Sequence, residues 1–140
     1  MSEITPAMNL VFNVTSLHAR MLKRIDQGLS VHGISFTEFM VMHYLNNASN
    51  GTMRRIDLAD SISLSASGVT RLLMPMQKIG LIQKEVNPRD ARVSLVKLTK
   101  TGKKIYADSA VSFEYAAGVM TQKLSATQLV EFIKLTDVLL

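Results

Sequence analysis

The strongest constraint on this chain is a change of hydrophobic period in its middle. After Ser65, apolar residues recur at helical steps: Val69, Leu72, Leu73 and Met76. Ser65 can cap that helix, which is expected from about Ala66 to Ile79. Gly80 ends it. The pattern then becomes two short aliphatic and β-branched runs, Leu81 to Val86 and Val93 to Leu98. Between them lies the charged, turn-prone Asn87-Pro88-Arg89-Asp90-Ala91-Arg92. A helix is thus followed at once by a hairpin with a basic tip.

The flanks are helical. From Pro6 to about His32, Leu10, Val14, Leu17, Met21 and Ile25 form one stripe, and Val11, His18, Leu22 and Leu29 a second. Two stripes on one helix imply two contacts, one with the chain's own core and one with another chain. Gly33 is a stop. Ser35-Phe36-Thr37-Glu38 is a capping-box pattern opening a second helix, with Phe39, Met40, Val41, Tyr44 and Leu45 on its apolar side. Asn46 to Gly51 reads as a loop. A short helix follows from about Arg54 to Ser61, with Ile56, Ala59 and Ile62 expected inward. Thr99 can cap a long helix from about Lys100 to Lys123. Ser125-Ala126-Thr127-Gln128 opens a last one, with Leu129, Phe132 and Ile133 expected inward. The order helix, short helix, helix, hairpin is that of a winged helix. The expected fold class is therefore mainly α with a small β-hairpin wing, a winged helix-turn-helix plus a helical dimerisation region. The former spans 35–99, the latter 1–34 and 100–140.

Charge distribution points to a partner. The chain carries a net charge of +5, but residues 51–104 hold 11 Lys and Arg against 4 Asp and Glu. The basic charge is concentrated around the hairpin, as expected where a chain meets a polyanion. There is no cysteine, which excludes disulfides, thiolate metal sites and cysteine-based redox sensing. No apolar run approaches a membrane helix, and the Met1 to Pro6 stretch does not read as a signal peptide, so a cytoplasmic location is expected. At 47% hydrophobic, the chain can bury a core.

The chemistry follows from the shape of DNA. An α-helix fits the major groove, and the first residues of a recognition helix reach base edges. Ser67, Gly68 and Thr70 allow close approach, and Arg71 adds a long donor for guanine or phosphate. Arg54 and Arg55, at the start of the preceding helix, are placed to bind phosphates. Arg89 and Arg92 sit on the hairpin tip. An arginine there can enter the minor groove, and Asp90 can hold the Arg92 guanidinium in a fork before contact.

Leu58-Ala59-Asp60 and Leu64-Ser65-Ala66-Ser67-Gly68-Val69-Thr70-Arg71-Leu72-Leu73 resemble the helix-turn-helix of the MarR family of bacterial regulators. Gly80-Leu81-Ile82 is similar to that family's exit into the wing. Asp90-Ala91-Arg92, with Val96, Leu98-Thr99 and Gly102, resembles its wing signature. The resemblance implies a homodimer built on the terminal helices. It implies a pseudo-palindromic operator in double-stranded DNA and, most commonly, a ligand-responsive repressor. It also implies DNA-contacting roles for Ser65, Ser67, Gly68, Thr70, Arg71, Asp90 and Arg92. One departure is Met74-Pro75-Met76, where the family usually carries an Asp-Arg pair and then an apolar residue. Pro75 removes a helix hydrogen bond and is expected to kink the recognition helix.

Many members of the family respond to small phenolic or lipophilic anions. Candidate polar groups for such a ligand are His18, Arg20, His43 and Tyr44, with Phe39 and Met40 as apolar walls. The three histidines, His18, His32 and His43, lack helical metal-pair spacing, so no metal and no cofactor is expected. The chain shows no nucleophile with a matched base and no phosphate-cradling glycine loop, so it does not read as an enzyme. The alternative is a winged-helix module that binds nucleic acid non-specifically or binds a protein partner.

Overall fold

The computed structural model describes residues 3–140; Met1 and Ser2, which the N-terminal reading included, lie outside them. The elements in chain order are α1 (Pro6–Leu29), α2 (Phe36–Asn47), β1 (Thr52–Arg54), α3 (Arg55–Ser61), α4 (Ala66–Lys78), β2 (Ile82–Val86), β3 (Ser94–Leu98), α5 (Lys100–Thr121) and α6 (Ala126–Leu139). A 3-10 turn, Ser30–His32, extends α1 to Gly33.

Local chemistry sets most of these boundaries. Ser35 and Ser125 each form a full capping box, with Glu38 and Gln128 returning the bond to the cap's own N–H. Thr5, Ser65 and Thr99 cap α1, α4 and α5 through single side-chain bonds. Helix α4 runs on through Pro75 to Lys78, so the proline does not break it. What it does remove is the N–H that would have bonded the Arg71 carbonyl one turn earlier.

The sheet has three strands, not the two expected. The order is β1-β3-β2, all antiparallel, with Met53 opposite Val96 and Lys84 opposite Val96 on the other side. Strand β1 takes up one free edge of the hairpin and ties it to the start of α3.

One core runs through the winged helix and into the flanking helices. Leu29 of α1, Val41, Met42 and Leu45 of α2, Leu58 of α3, Val69, Leu73 and Met76 of α4 and Val96 of β3 are fully buried within it. Burying each such side chain contributes about 1.5–3 kcal/mol. Helix α3 presents Leu58, Ala59 and Ile62 to this core, whereas Ile56 is exposed, contrary to the expected stripe. Two apolar stripes compete on a helix of seven residues, and the one that meets α4 wins.

The joint between wing and α5 is built on the backbone of the turn at Gly80 and Leu81. Thr99 donates its N–H to the Leu81 carbonyl at 3.1 Å, and its hydroxyl to the Gly80 and Leu81 carbonyls. Gly102 lies directly against that turn. A Cβ at Gly102 would stand 2.0 Å from the Leu81 oxygen, so only glycine fits without displacing the backbone.

Candidate nucleic-acid interface

Helix α4 is amphipathic. Its inner side buries Val69, Leu73 and Met76, which leaves Ser67, Arg71, Met74 and Lys78 outside. The polar groups expected on its outer side divide into two sets. Ser65 Oγ is occupied by the cap, accepting from the Gly68 N–H at 3.0 Å, and lies 3.2 Å from Ser67 Oγ. A Cβ at Gly68 would come within 3.1 Å of that same oxygen, so Gly68 protects the cap as well as keeping the helix slim. The Thr70 hydroxyl is also occupied. It donates to the Ala66 carbonyl at 3.1 Å and accepts from Arg55 Nη1 at 3.3 Å. Arg71 is exposed and has no side-chain partner among the described residues. Of the polar side chains expected on the outer side, Arg71 is therefore the one without a partner, while Ser67 is exposed and shares a bond with the cap serine.

The two arginines before α4 behave differently. Arg54 closes β1 and stands just outside α3, not within it as expected. Its guanidinium forms a fork with Asp57, Nε to Oδ2 at 2.9 Å and Nη2 to Oδ1 at 3.1 Å. The hydrogen bond and the charge of Asp57 raise the Arg54 pKa, and the bond from Arg54 holds the Asp57 carboxyl below its ordinary value. Arg55 turns inward toward Thr70, and its Nε is buried with no hydrogen-bond partner. It borders a concavity of about 770 Å³ that also touches Met74, Pro75, Gln77, Lys78 and Lys84. Lys78 and Lys84 were not singled out in the sequence, because α4 and β2 meet only after the turn at Gly80, and Met74 was named only as part of the Met74-Pro75-Met76 departure.

The wing tip is ordered by its own side chains. Asn87 Oδ1 accepts from the Arg89 N–H at 2.9 Å, and the Val93 N–H bonds the Asp90 carbonyl at 3.0 Å. Asp90 Oδ1 accepts from both the Arg92 N–H at 3.0 Å and Arg92 Nε at 3.1 Å, and Oδ2 lies 3.4 Å from Nη2. The expected fork is therefore present. These bonds, the side-chain one first, hold the Asp90 carboxyl below its usual range. Arg92 remains 92% exposed, and an ion pair in such a place adds little to stability. What the pair supplies is direction: the guanidinium is fixed at the tip while open to solvent. Arg89, beside it, is exposed.

The residues expected around a ligand do not all meet. Phe39, Met40, His43 and Tyr44 line one cavity of about 320 Å³, together with Phe36 of α2 and Tyr106, Ala110 and Phe113 of α5. The Phe39 ring lies 4.8 Å from Phe113 and 5.4 Å from Tyr106, and His43 Nδ1 is 2.8 Å from the Tyr106 hydroxyl. His18 and Arg20 are elsewhere. Arg20 borders a separate cleft with Arg24 and Lys123, and His18 is exposed on α1. The residues on α5 were missed because their partners on α2 are distant in sequence. His32 bonds Ser112 at 2.7 Å, apart from His43 and its partner Tyr106.

Comparison with known proteins agrees with this architecture. The model of the family described as transcriptional regulator SarA/Rot matches residues 23–109, well over half of the chain. An uncharacterised HTH-type transcriptional regulator of Bacillus subtilis, YhbI, is 23% identical over 114 residues, which cover 81% of this chain and 73% of that one. Among solved structures, a MarR variant from E. coli complexed with operator DNA superposes with a TM-score of 0.89 at 20% identity, covering 100% of this chain and 99% of that one. Sco3205 of Streptomyces coelicolor, a MarR family regulator in complex with DNA, gives 0.88 at 17% identity, covering 99% and 89%. At these identities the likeness is one of fold, and that fold is the one the motifs implied. The chain belongs to the SarA/Rot family of transcriptional regulators; it is a winged-helix regulator of transcription and not an enzyme.

Proposed function

We propose that the chain binds double-stranded DNA sequence-specifically, as a homodimer on a pseudo-palindromic operator, and acts as a ligand-responsive repressor. The observation that carries this reading is the pairing of an open recognition face with a pre-set wing. Ser67 and Arg71 are exposed on α4, and Arg92 is held at the hairpin tip by Asp90. A helix in the major groove and an arginine in the adjacent minor groove would read sequence and shape together. Residues 35–99 would form the reading unit, and 1–34 with 100–140 the dimerisation region. No helix of the described residues is long and apolar enough to cross a membrane, and a cytoplasmic site of action suits a DNA-binding role.

The dimer reading rests on apolar surface that this chain leaves open. Leu10, Val11, Phe12 and Val14 on α1 and Phe132, Ile133 and Leu135 on α6 are all exposed. Apolar surface left open on this scale suits an interface. A two-fold axis through those helices would set the recognition helices about 34 Å apart, one turn of DNA.

The ligand would be a small phenolic compound seated in the aromatic cavity between α2 and α5. Its walls are rings, and its polar atoms come from His43, Tyr44 and Tyr106, which can meet a phenol hydroxyl. No lysine or arginine lines it, so a neutral phenol suits the cavity better than an anion. The compound would shift DNA affinity only by its differential affinity for the bound and free conformations.

The test is titration of the protein against the intergenic DNA beside its own gene, with random duplex as control, across a range of salt. Saturable binding to the former alone supports the reading. Equal affinities that fall together with salt would favour the alternative, a module that binds nucleic acid non-specifically or binds a protein.

A further inference from the structure

The outer flank of α4 presents an apolar strip where a recognition helix would be expected to be polar. Met74 is 61% exposed, although it lies one turn beyond Thr70 and Arg71 on the same helix. Thr70 spends its hydroxyl inside the protein, on the Ala66 carbonyl and on Arg55. What it has left to offer a ligand is its methyl group. Thr70 and Met74, at i and i+4, are neighbours on a helix surface and line the same concavity. Pro75, which has no N–H to donate, extends the apolar surface. The rim is charged: Arg55, Lys78 and Lys84 border the concavity, and no carboxylate does.

An apolar floor with a cationic rim fits one feature of duplex DNA. The thymine C5-methyl is the apolar group displayed on the major-groove edge of the base pairs, and phosphates stand on either side of the groove. We propose that Met74, with the Thr70 methyl, is a specificity-determining contact that reads a thymine methyl in each operator half-site, while Lys78 and Lys84 face the flanking phosphates. This rests on the DNA-binding reading above, since it requires α4 to enter the major groove. It adds a base preference that Ser67 and Arg71 alone do not give.

The experiment starts from duplexes selected by the protein out of a random pool. Each thymine of the selected half-site is then replaced by deoxyuridine, which removes the methyl and leaves base pairing intact. For the unaltered protein, one thymine position per half-site should lose about fourfold in affinity, the effect of one methyl taken out of apolar contact. Met74→Ala should lose a similar factor on the thymine duplex and nothing further on the uracil duplex. Met74→Leu should keep the thymine preference. Because Met74 is exposed, both variants should melt with the parent protein. Equal binding of thymine and uracil duplexes at every position would overturn the proposal and leave the DNA-binding reading standing. So would a Met74→Ala protein that keeps the full methyl preference. Failure to select any sequence above random duplex would instead overturn the DNA-binding reading itself, and this contact with it.

Discussion

Helices α4 and α6 have nearly the same length, 13 and 14 residues, and both begin at a serine cap. Their fates differ. Helix α4 buries Val69, Leu73 and Met76 inside its own chain, whereas α6 buries no residue at all. The Leu129, Phe132 and Ile133 stripe expected to face inward is half-buried at Leu129 and open at the other two positions. Apolar periodicity says that a helix has a face to cover. It does not say whether the cover lies in the same chain. Helix α4 is covered by its own chain, and α6 leaves an apolar stripe that its own chain does not cover.

The comparison can be broken most decisively at α6. Phe132→Glu places a charge on the open stripe. It should convert the proposed dimer to monomer in sedimentation and cost about 10²–10⁴ in operator affinity through lost avidity, while circular dichroism keeps its helical signal. A dimer that survives this change would mean that α6 is idle. The counterpart in α4 is Leu73→Ala, which should cost about 2–5 kcal/mol in chemical denaturation because the residue is fully buried. A loss below 1 kcal/mol would show that α4 does not depend on the core. Arg92→Ala belongs to neither class. It should leave melting and dimerisation unchanged and weaken operator binding by about 1–3 kcal/mol at matched salt; unchanged binding would remove the wing from the account.

The smallest effect concerns acid. The folded Asp90 carboxyl titrates below its ordinary value, so its hold on Arg92 is complete above the usual carboxylate range and is lost as pH falls through the depressed value. The Arg92 Nε–H resonance should therefore stay fixed through mild acid and shift only below that range. A shift centred near neutral pH would show that another group holds the wing.

Much of the fold was legible because its causes are local. The two capping boxes, the cap at Ser65 and the fork between Asp90 and Arg92 each depend on residues within three positions of one another. What was missed has distant causes. Strand β1 is three residues long and exists because Thr52–Arg54 can pair with the far edge of β3. Tyr106 and Phe113 enter the aromatic cavity because α5 crosses α2, and the distance of Arg20 from that cavity follows from the same packing. Thr70 reads as a polar recognition residue until Arg55 is seen to reach its hydroxyl. Ile56 shows the limit from the other side, since two turns of helix carry too few residues to choose between stripes.

The contact of Gly102 with the Leu81 carbonyl governs how a signal would travel. The long helix α5 touches the aromatic cavity along its flank and the root of the wing at its first turn. At that root the Leu81 carbonyl accepts from Thr99 and lies against Gly102, with no room for a Cβ between. A joint packed that closely has little play, so a tilt of α5 would carry the hairpin with it. The helix would then act as a lever whose short arm ends at the wing.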